Sequence, residues 1–498
     1  MRITKSLCPE CLEIIEAKIF EDALGRVKIR KVCDVHGVFE DIYWSDAELY
    51  KKFDRYWCEG SGLSEPMVSV DGNCPNNCGA CPSHKTTTIL ANIDVTNRCN
   101  QNCPICFANA SAAGYLYEPS FDQIKDMLIG LRSQKPVPCP AVQFAGGEPT
   151  VRRDIVQIVQ TAHDVGFPQI QIATNGINLA KKPELSRMLY KAGLKTVYLQ
   201  FDGLTEMPYQ IARGYNALPL KLKAIENCRA GGLTSVALVP TIARGVNDDQ
   251  IGDIVHFAAD NRDTVKGINF QPISFTGRID KDEREKMRVT APDVFHAIEE
   301  QTDGDILASD FYPVPFVVPI SRFVTAEKNT PYAEFTVHPH CGAGTYVYIE
   351  EGKMIPITRF IDVEGLLEFV NELASGIEEK KRIKSFERIT AIGKLIKGIP
   401  RFIDSELAPK HVNVRKLFID VLKDGTDEAT KEFHRNTLFI GVMHFQDLYN
   451  MDLERIQRCG IHYATPDGRV IPFCTYNTLH RETIEKKFAK PLKAEAYK

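Results

Sequence analysis

Between residues 89 and 271 the chain alternates short apolar runs with longer segments whose apolar residues recur every three to four positions. The runs at 89–95, 141–144, 169–173, 196–201, 234–239 and 267–271 have strand length. The segments near 120–132, 152–165, 183–192, 217–230 and 249–260 carry the helical period between them. Six strands separated by five helices predict an α/β fold with a parallel sheet, open or curled into a partial barrel. Outside this stretch the rhythm breaks. Residues 1–88 hold short strand-like pieces and polar turns, and from about 290 the pattern is irregular. That later region contains an apolar run at 311–324 interrupted by Pro313, Pro315 and Pro319, and a Lys-rich helical segment at 376–400. With these prolines the run is not helical throughout. It reads as a tunnel mouth or as an extended core strand.

Charge narrows the partners. Lys and Arg number 61 against 65 Asp and Glu in 498 residues, a net charge of −4, which excludes a nucleic-acid binder working by bulk positive potential. The first residues lack the apolar core of a secretory signal, and no uninterrupted apolar stretch reaches the ~18 residues of a membrane span. The expected location is cytoplasmic. There, 15 cysteines are better explained as metal ligands than as disulfides, the more so because ten of them precede residue 107 in tight groups.

After the first strand, Cys99, Cys103 and Cys106 stand at CxxxCxxC spacing on one loop. Three thiolates so placed can hold three irons of a [4Fe–4S] cube and leave the fourth open to a ligand. A structural zinc loop is the alternative, and it wants a fourth Cys or His nearby. The next strand runs into Gly146-Gly147-Glu148-Pro149, where glycines let the backbone approach a ligand closely. Upstream, Cys8, Cys11, Cys33 and His36 form a CxxC…CxxH set suited to one tetrahedral zinc or iron, with a later cysteine replacing His36 as the other option. Cys74, Cys78 and Cys81 repeat the CxxxCxxC spacing. Cys58 completes either this auxiliary cluster or the first site. Cys341, Cys459 and Cys474 are either ligands of a second auxiliary cluster, its fourth ligand unassigned, or three unrelated buried thiols. Cys139 and Cys228 read as core residues.

With Cys99, Cys103, Cys106 and the Gly146–Pro149 segment on the page, residues 90–280 resemble the radical S-adenosylmethionine (SAM) enzymes. The resemblance implies a (β/α)6 partial barrel flanked by the Cys-rich region (1–88) and by a C-terminal substrate and auxiliary-cluster region (301–498), the barrel itself spanning 89–300. It implies that the cluster binds and reduces SAM, releasing methionine and a 5′-deoxyadenosyl radical that removes hydrogen from an unactivated C–H bond. Cys99, Cys103 and Cys106 are then catalytic, and Phe107, Gly146, Gly147, Glu148, Asn175, Gln200, Asp202, Thr241 and Gln271 contact the cofactor. Ile105, where the family commonly has an aromatic residue, leaves ligation intact.

The whole layout adds His338-Pro-His-Cys341-Gly and Ala464-Thr-Pro-Asp-Gly-Arg469 to the knuckle, cluster and barrel. It resembles the archaeal tetraether lipid synthases. That resemblance implies coupling of terminal methyl carbons of two archaeal diether phospholipids, with about three [4Fe–4S] clusters and one mononuclear Fe or Zn. It also implies an external electron donor such as ferredoxin and peripheral membrane contact. A methylase of reduced pterins is the alternative. Residues 380–401 place Ile383, Phe386, Ile389, Ile392, Leu395 and Ile396 among basic residues, which fits either an anionic lipid surface or an ordinary surface helix.

Overall fold

The computed structural model describes residues 1–68, 74–110, 112–379, 384–410 and 436–490. Its centre is the expected parallel sheet: β5 (Leu90–Thr96), β6 (Ala141–Gly146), β7 (Gln169–Thr174), β8 (Thr196–Gln200), β9 (Val236–Val239) and β11 (Val265–Pro272) lie side by side in that order. Short β10 (Thr241–Ile242) pairs with the end of β11. Helices Phe121–Arg132, Ile155–Asp164, Pro183–Lys191, Leu218–Gly231 and Ile251–Asp260 form the outer layer. The first is started by a capping box. Ser120 Oγ accepts from the Gln123 N–H at 3.2 Å, and Gln123 Oε1 accepts from the Ser120 N–H at 2.8 Å. Alternation along the strands sorts the two faces. Val142 and Phe144 of β6, and Ile170 and Ile172 of β7, are buried in the main core against the helices, while Gln143, Ala145, Gln171 and Ala173 line an interior cavity.

The region beyond residue 300 is more regular than its sequence suggests. β15 (Thr437–Met443) adds to β11 in parallel and β16 (Ile461–Ala464) adds to β5 in parallel. β13 (Gly342–Glu350) and β17 (Val470–Pro472) then extend the two ends antiparallel, with β12 (Tyr312–Pro313) and β14 (Lys353–Pro356) on β13. Both flanks of the six-stranded arc are therefore covered by strands from one later part of the chain. Residues 311–324 are not one extended strand. After β12 they turn through a 3₁₀ segment (Val314–Val317) into helix Val318–Lys328. Pro319 sits in that helix's first turn, where its missing N–H costs no helical hydrogen bond. Phe323 and Ala326 pack in a second core with Leu366, Val370, Leu395 and Ile399. Leu395 belongs to helix Lys384–Gly398, so the described part of the basic segment turns its apolar stripe to protein. Residues 380–383, and the side chains of 378–389, lie outside the described residues.

At the N-terminus a four-stranded antiparallel sheet, β1 (Arg2–Leu7), β2 (Ile14–Glu21), β3 (Val27–Cys33) and β4 (Gly37–Trp44), docks on the C-terminal region through buried Asp452. That carboxylate accepts from Thr4 Oγ1 at 2.7 Å and Tyr43 Oη at 2.8 Å, and pairs with Arg2.

Candidate active site and metal centres

The cluster loop leaves β5 at Thr96 and is gripped on two sides. Arg213, at the end of helix Glu206–Arg213, donates to the Ile105 carbonyl at 2.9 Å between Cys103 and Cys106. Asp202 holds that guanidinium by two bonds of 2.7 and 2.8 Å, both groups being buried. On the other side the Arg278 N–H donates to the Cys106 carbonyl at 3.1 Å, and a side chain at Gly277 would lie 2.3 Å from the Phe107 carbonyl oxygen. The strand end β6 closes from beneath. Gly147 and Glu148 donate their N–H groups to the carbonyls of Thr96 and Arg98 at 2.7 and 2.8 Å. At Gly146, φ is +123° and a Cβ would stand 2.2 Å from the Thr96 carbonyl oxygen, so only glycine fits.

Cys99, Cys103 and Cys106 converge on a cavity of about 430 Å³ inside the barrel. Burial pushes the Cys99 thiol up to about 12, with the Glu148 charge adding to it. Burial also raises Cys103, against the pull of Arg213. Bound iron reverses this preference by stabilising thiolate. Of the residues assigned to the cofactor, Phe107, Gly146, Gly147, Asn175, Gln200, Thr241 and Gln271 line the same cavity. Glu148 and Asp202 stand behind its wall. Glu148 Oε1 accepts from Thr150 N, Thr150 Oγ1 and Thr174 Oγ1 at 3.0, 2.5 and 2.8 Å, and Oε2 accepts from Asn175 N at 2.7 Å. Its carboxylate ties β6 to β7, and Asp202 anchors Arg213. Both are positioning residues.

The N-terminal set is assembled as a metal site. The ligand atoms of Cys8, Cys11, Cys33 and His36 all lie within 4.8 Å of one another. Cys8 Sγ and Cys33 Sγ stand 3.7 and 3.5 Å from His36 Nδ1, and Cys11 Sγ lies 3.8 Å from Cys33 Sγ. Ligands ~2.3 Å from a tetrahedral zinc are separated by about 3.8 Å, so the geometry fits, with His36 Nδ1 placed where a fourth ligand would stand. Cys58 is not in this group. Cys74, Cys78 and Cys81 act on one another electrostatically, whereas the charged groups acting on Cys58 include Arg322 and Arg458. Cys341 and Cys474 both raise the Cys459 thiol, after burial. Arg455 Nε donates to Cys341 Sγ at 3.4 Å, and Cys474 reaches the barrel cavity beside Phe445 and Phe473. Cys139 and Cys228 are fully buried, as expected of core residues.

Sequence reasoning passed over the neutral polar side chains of the cavity wall, Asn92, Gln143, Gln171, Tyr198 and Asn269. The signal was there: polar residues at every second strand position, facing inward where a barrel is usually apolar.

A family model for the radical SAM superfamily matches residues 93–258, and one for the HMPTM N-terminal zinc ribbon domain matches residues 1–45. The 7,8-dihydro-6-hydroxymethylpterin dimethyltransferase of Methanocaldococcus jannaschii is 54% identical over 493 residues, covering 98% of this chain and 96% of that protein. The chain belongs to the radical SAM superfamily. As a radical SAM enzyme it takes a [4Fe–4S] cluster and SAM, which the three converging thiols and the glycine cradle fit, and its ribbon takes a further metal. A GTP 3′,8-cyclase of Clostridium acetobutylicum is 29% identical over 188 residues, covering 38% of this chain and 58% of that one. A solved structure, Streptococcus suis SuiB bound to S-adenosylmethionine, covers 44% of this chain and 48% of its own, at 17% identity and a TM-score of 0.35. The expectation of a tetraether lipid synthase is overturned. The relative matching nearly the whole chain carries a pterin dimethyltransferase name. Knuckle, cluster and barrel in this order therefore do not separate the two activities. With the lipid reading goes its support for diether phospholipid partners. Among the described residues no helix is long and apolar enough to cross a membrane.

Proposed function

We propose that this radical SAM enzyme methylates a reduced pterin of the 7,8-dihydro-6-hydroxymethylpterin type. The observation that carries the reading is the 54% identity sustained over 98% of the chain to a dimethyltransferase of that compound. The cavity supports it. Its volume of about 430 Å³ is of the scale of small-ligand pockets, and its largely apolar lining carries a few placed polar groups, among them the amides of Asn92, Gln143, Gln171 and Asn269.

When bound, the cluster and SAM supply a 5′-deoxyadenosyl radical. The chain's own part is to place the groups. Cys99, Cys103 and Cys106 hold the cluster, and Gly146 and Gly147 bring the β6 backbone up to the cluster loop. Asp202 and Arg213 fix that loop, and Glu148 fixes Asn175 at the end of β7. Phe107, Gln200, Thr241 and Gln271 complete the SAM side of the cavity. Cys74, Cys78 and Cys81 would hold one auxiliary cluster, for which the sequence offers Cys58 as a fourth ligand, and Cys341, Cys459 and Cys474 would hold a second, Cys474 being the one that lines the cavity. An external reductant of the ferredoxin kind feeds them. The boundary near 88 sets the Cys-rich region apart, whereas the cavity draws on both sides of the one near 300, with Phe445, Phe473 and Cys474 beside the barrel residues.

Anaerobic incubation of the cluster-loaded enzyme with SAM as radical source, dithionite, 7,8-dihydro-6-hydroxymethylpterin and a one-carbon donor (a second equivalent of SAM, or a reduced folate-type methylene carrier) is expected to give methylated pterin together with 5′-deoxyadenosine. Cys103→Ala abolishes both. Formation of 5′-deoxyadenosine with no change in the mass of the pterin, whichever one-carbon donor is supplied, would overturn the reading.

A further inference from the structure

The inner wall of the barrel carries a hydrogen-bonded chain that does nothing for the cluster. Asn92, Gln143 and Gln171 are register partners on β5, β6 and β7, one layer of side chains pointing inward. Their bonds run in one sense. Gln171 Nε2 donates to Gln143 Oε1 at 2.7 Å, Gln143 Nε2 to Asn92 Oδ1 at 2.6 Å, and Asn92 Nδ2 to the His462 carbonyl of β16 at 3.3 Å. A backbone carbonyl can only accept. It therefore sets which way every amide in the chain faces. The chain ends at Gln171 Oε1, an acceptor with no protein donor among the described residues.

Diagonal to it on β8 stands Tyr198, whose hydroxyl accepts from Asn269 Nδ2 and from Gln271 Nε2, the latter at 3.1 Å. A phenol oxygen so engaged has its own O–H left to give. The wall thus presents a fixed acceptor next to a fixed donor. Ala145 and Ala173, small residues on the same face, leave room in front of them. No carboxylate lines the cavity among the described residues; of the two arginines that do, Arg213 is committed to Asp202, and Arg278 donates to Asn102 Oδ1 and the Ala110 carbonyl at the cluster loop. A neutral ligand suits such a wall, and one with a donor beside an acceptor suits it best. Opposite, Phe445 and Phe473 stack with ring centres 3.9 Å apart and offer an aromatic surface to a planar ring.

We propose that Gln171 and Tyr198, aligned by this amide chain, read the N3–H and O4 edge of the pyrimidinone ring of the pterin. The inference rests on the pterin reading and adds to it the residues that set substrate specificity. Neither residue touches the cluster cysteines in the hydrogen-bond network, and their part is in binding.

The test is an equilibrium titration of the cluster-loaded enzyme, without reductant, with 7,8-dihydro-6-hydroxymethylpterin and with its N3-methylated analogue, followed by pterin fluorescence. Wild type should bind the parent about tenfold or more tightly than the analogue, the range expected for one lost hydrogen bond with its partner left buried. Gln171→Leu should weaken binding of the parent by about tenfold and erase the preference between the two ligands, with SAM affinity unchanged. Tyr198→Phe removes a single oxygen and keeps the ring. It should weaken both ligands, and it carries the test should the Gln171 variant fail to fold. Wild-type discrimination persisting in both variants would overturn the inference while leaving the pterin reading intact. A wild-type enzyme that binds neither ligand would overturn the pterin reading itself, and this inference with it.

Discussion

Asp202 and Arg213 form a buried bidentate ion pair whose third bond holds the Ile105 carbonyl inside the cluster loop. Removing the carboxylate leaves a guanidinium buried and unpaired, a change that costs about 3–5 kcal/mol. Asp202→Ala should therefore lower the melting temperature and the iron retained per chain together, whereas Asp202→Asn, which keeps an acceptor, should lose less of both. Calorimetry with iron analysis checks this, and normal iron content in the alanine variant would remove the pair from its positioning role. Lys221 is a different case. Its ammonium is fully buried on two neutral acceptors, the Asn175 carbonyl and Gln200 Oε1 at 2.5 and 2.6 Å. Burial lowers it to about 8, with Asp202 opposing. The unfolded chain holds this proton up to about 10.5, so between pH 8 and 10.5 the unfolded state binds more protons and stability rises with pH. Below pH 8 the full penalty is present, at most about 3 kcal/mol from the span of the shift. Melting curves of wild type and Lys221→Met should accordingly move in favour of wild type as pH is raised from 8 to 10.

Among the elements, the ribbon is where sequence reading and geometry agree most closely. Two tight turns bring the four candidate ligand atoms within 4.8 Å of one another, and no long-range packing was needed to foresee their grouping. The Cys33 thiol is held near 6 by the backbone N–H of His36, by the His36 ring and by the N–H of Val35. An acid with a lowered value keeps its thiolate above that point and gives it up below. Protons compete with metal for this thiolate, so metal affinity should fall as pH is lowered from 8 to 6, which a zinc-sensitive dye reads directly. Unchanged metal content in a variant lacking both Cys8 and Cys33 would show that the four atoms are not the ligands. The parallel core was equally legible, because its strands and helices carry strong, different periods. What escaped was non-local. β15 and β16 are short apolar runs like many others, and only their pairing with β11 and β5 gives them meaning. The run at 311–324 misled because its prolines argue against helix, yet Pro319 falls in a first turn, where proline is welcome. Inward amides escaped because a polar residue in a strand ordinarily points to water.

On the scale of the whole molecule, the lipid and pterin readings shared every motif and differed in what the barrel encloses, which no motif records. The mixed sheet also ties the last part of the chain to the stability of the centre. A chain ending at residue 435 would lack both β15 and β16, leaving β5 and β11 as long unpaired edges, the surfaces on which strands of other molecules add. Such a chain is expected to elute from size exclusion as aggregate, while one ending at 490 should remain monodisperse. Equal behaviour of the two would mean that the flanking strands are ornamental. The same connectivity has a consequence in time. Ribosomes deliver β5 to β11 first, and their two edges stay open until 437–464 emerge. Throughout that interval the barrel is a cleft rather than a chamber. Cys99, Cys103 and Cys106 are then as reachable to whatever delivers iron and sulfide as they will ever be, and the arrival of β15 and β16 shuts the workshop after the fittings are in.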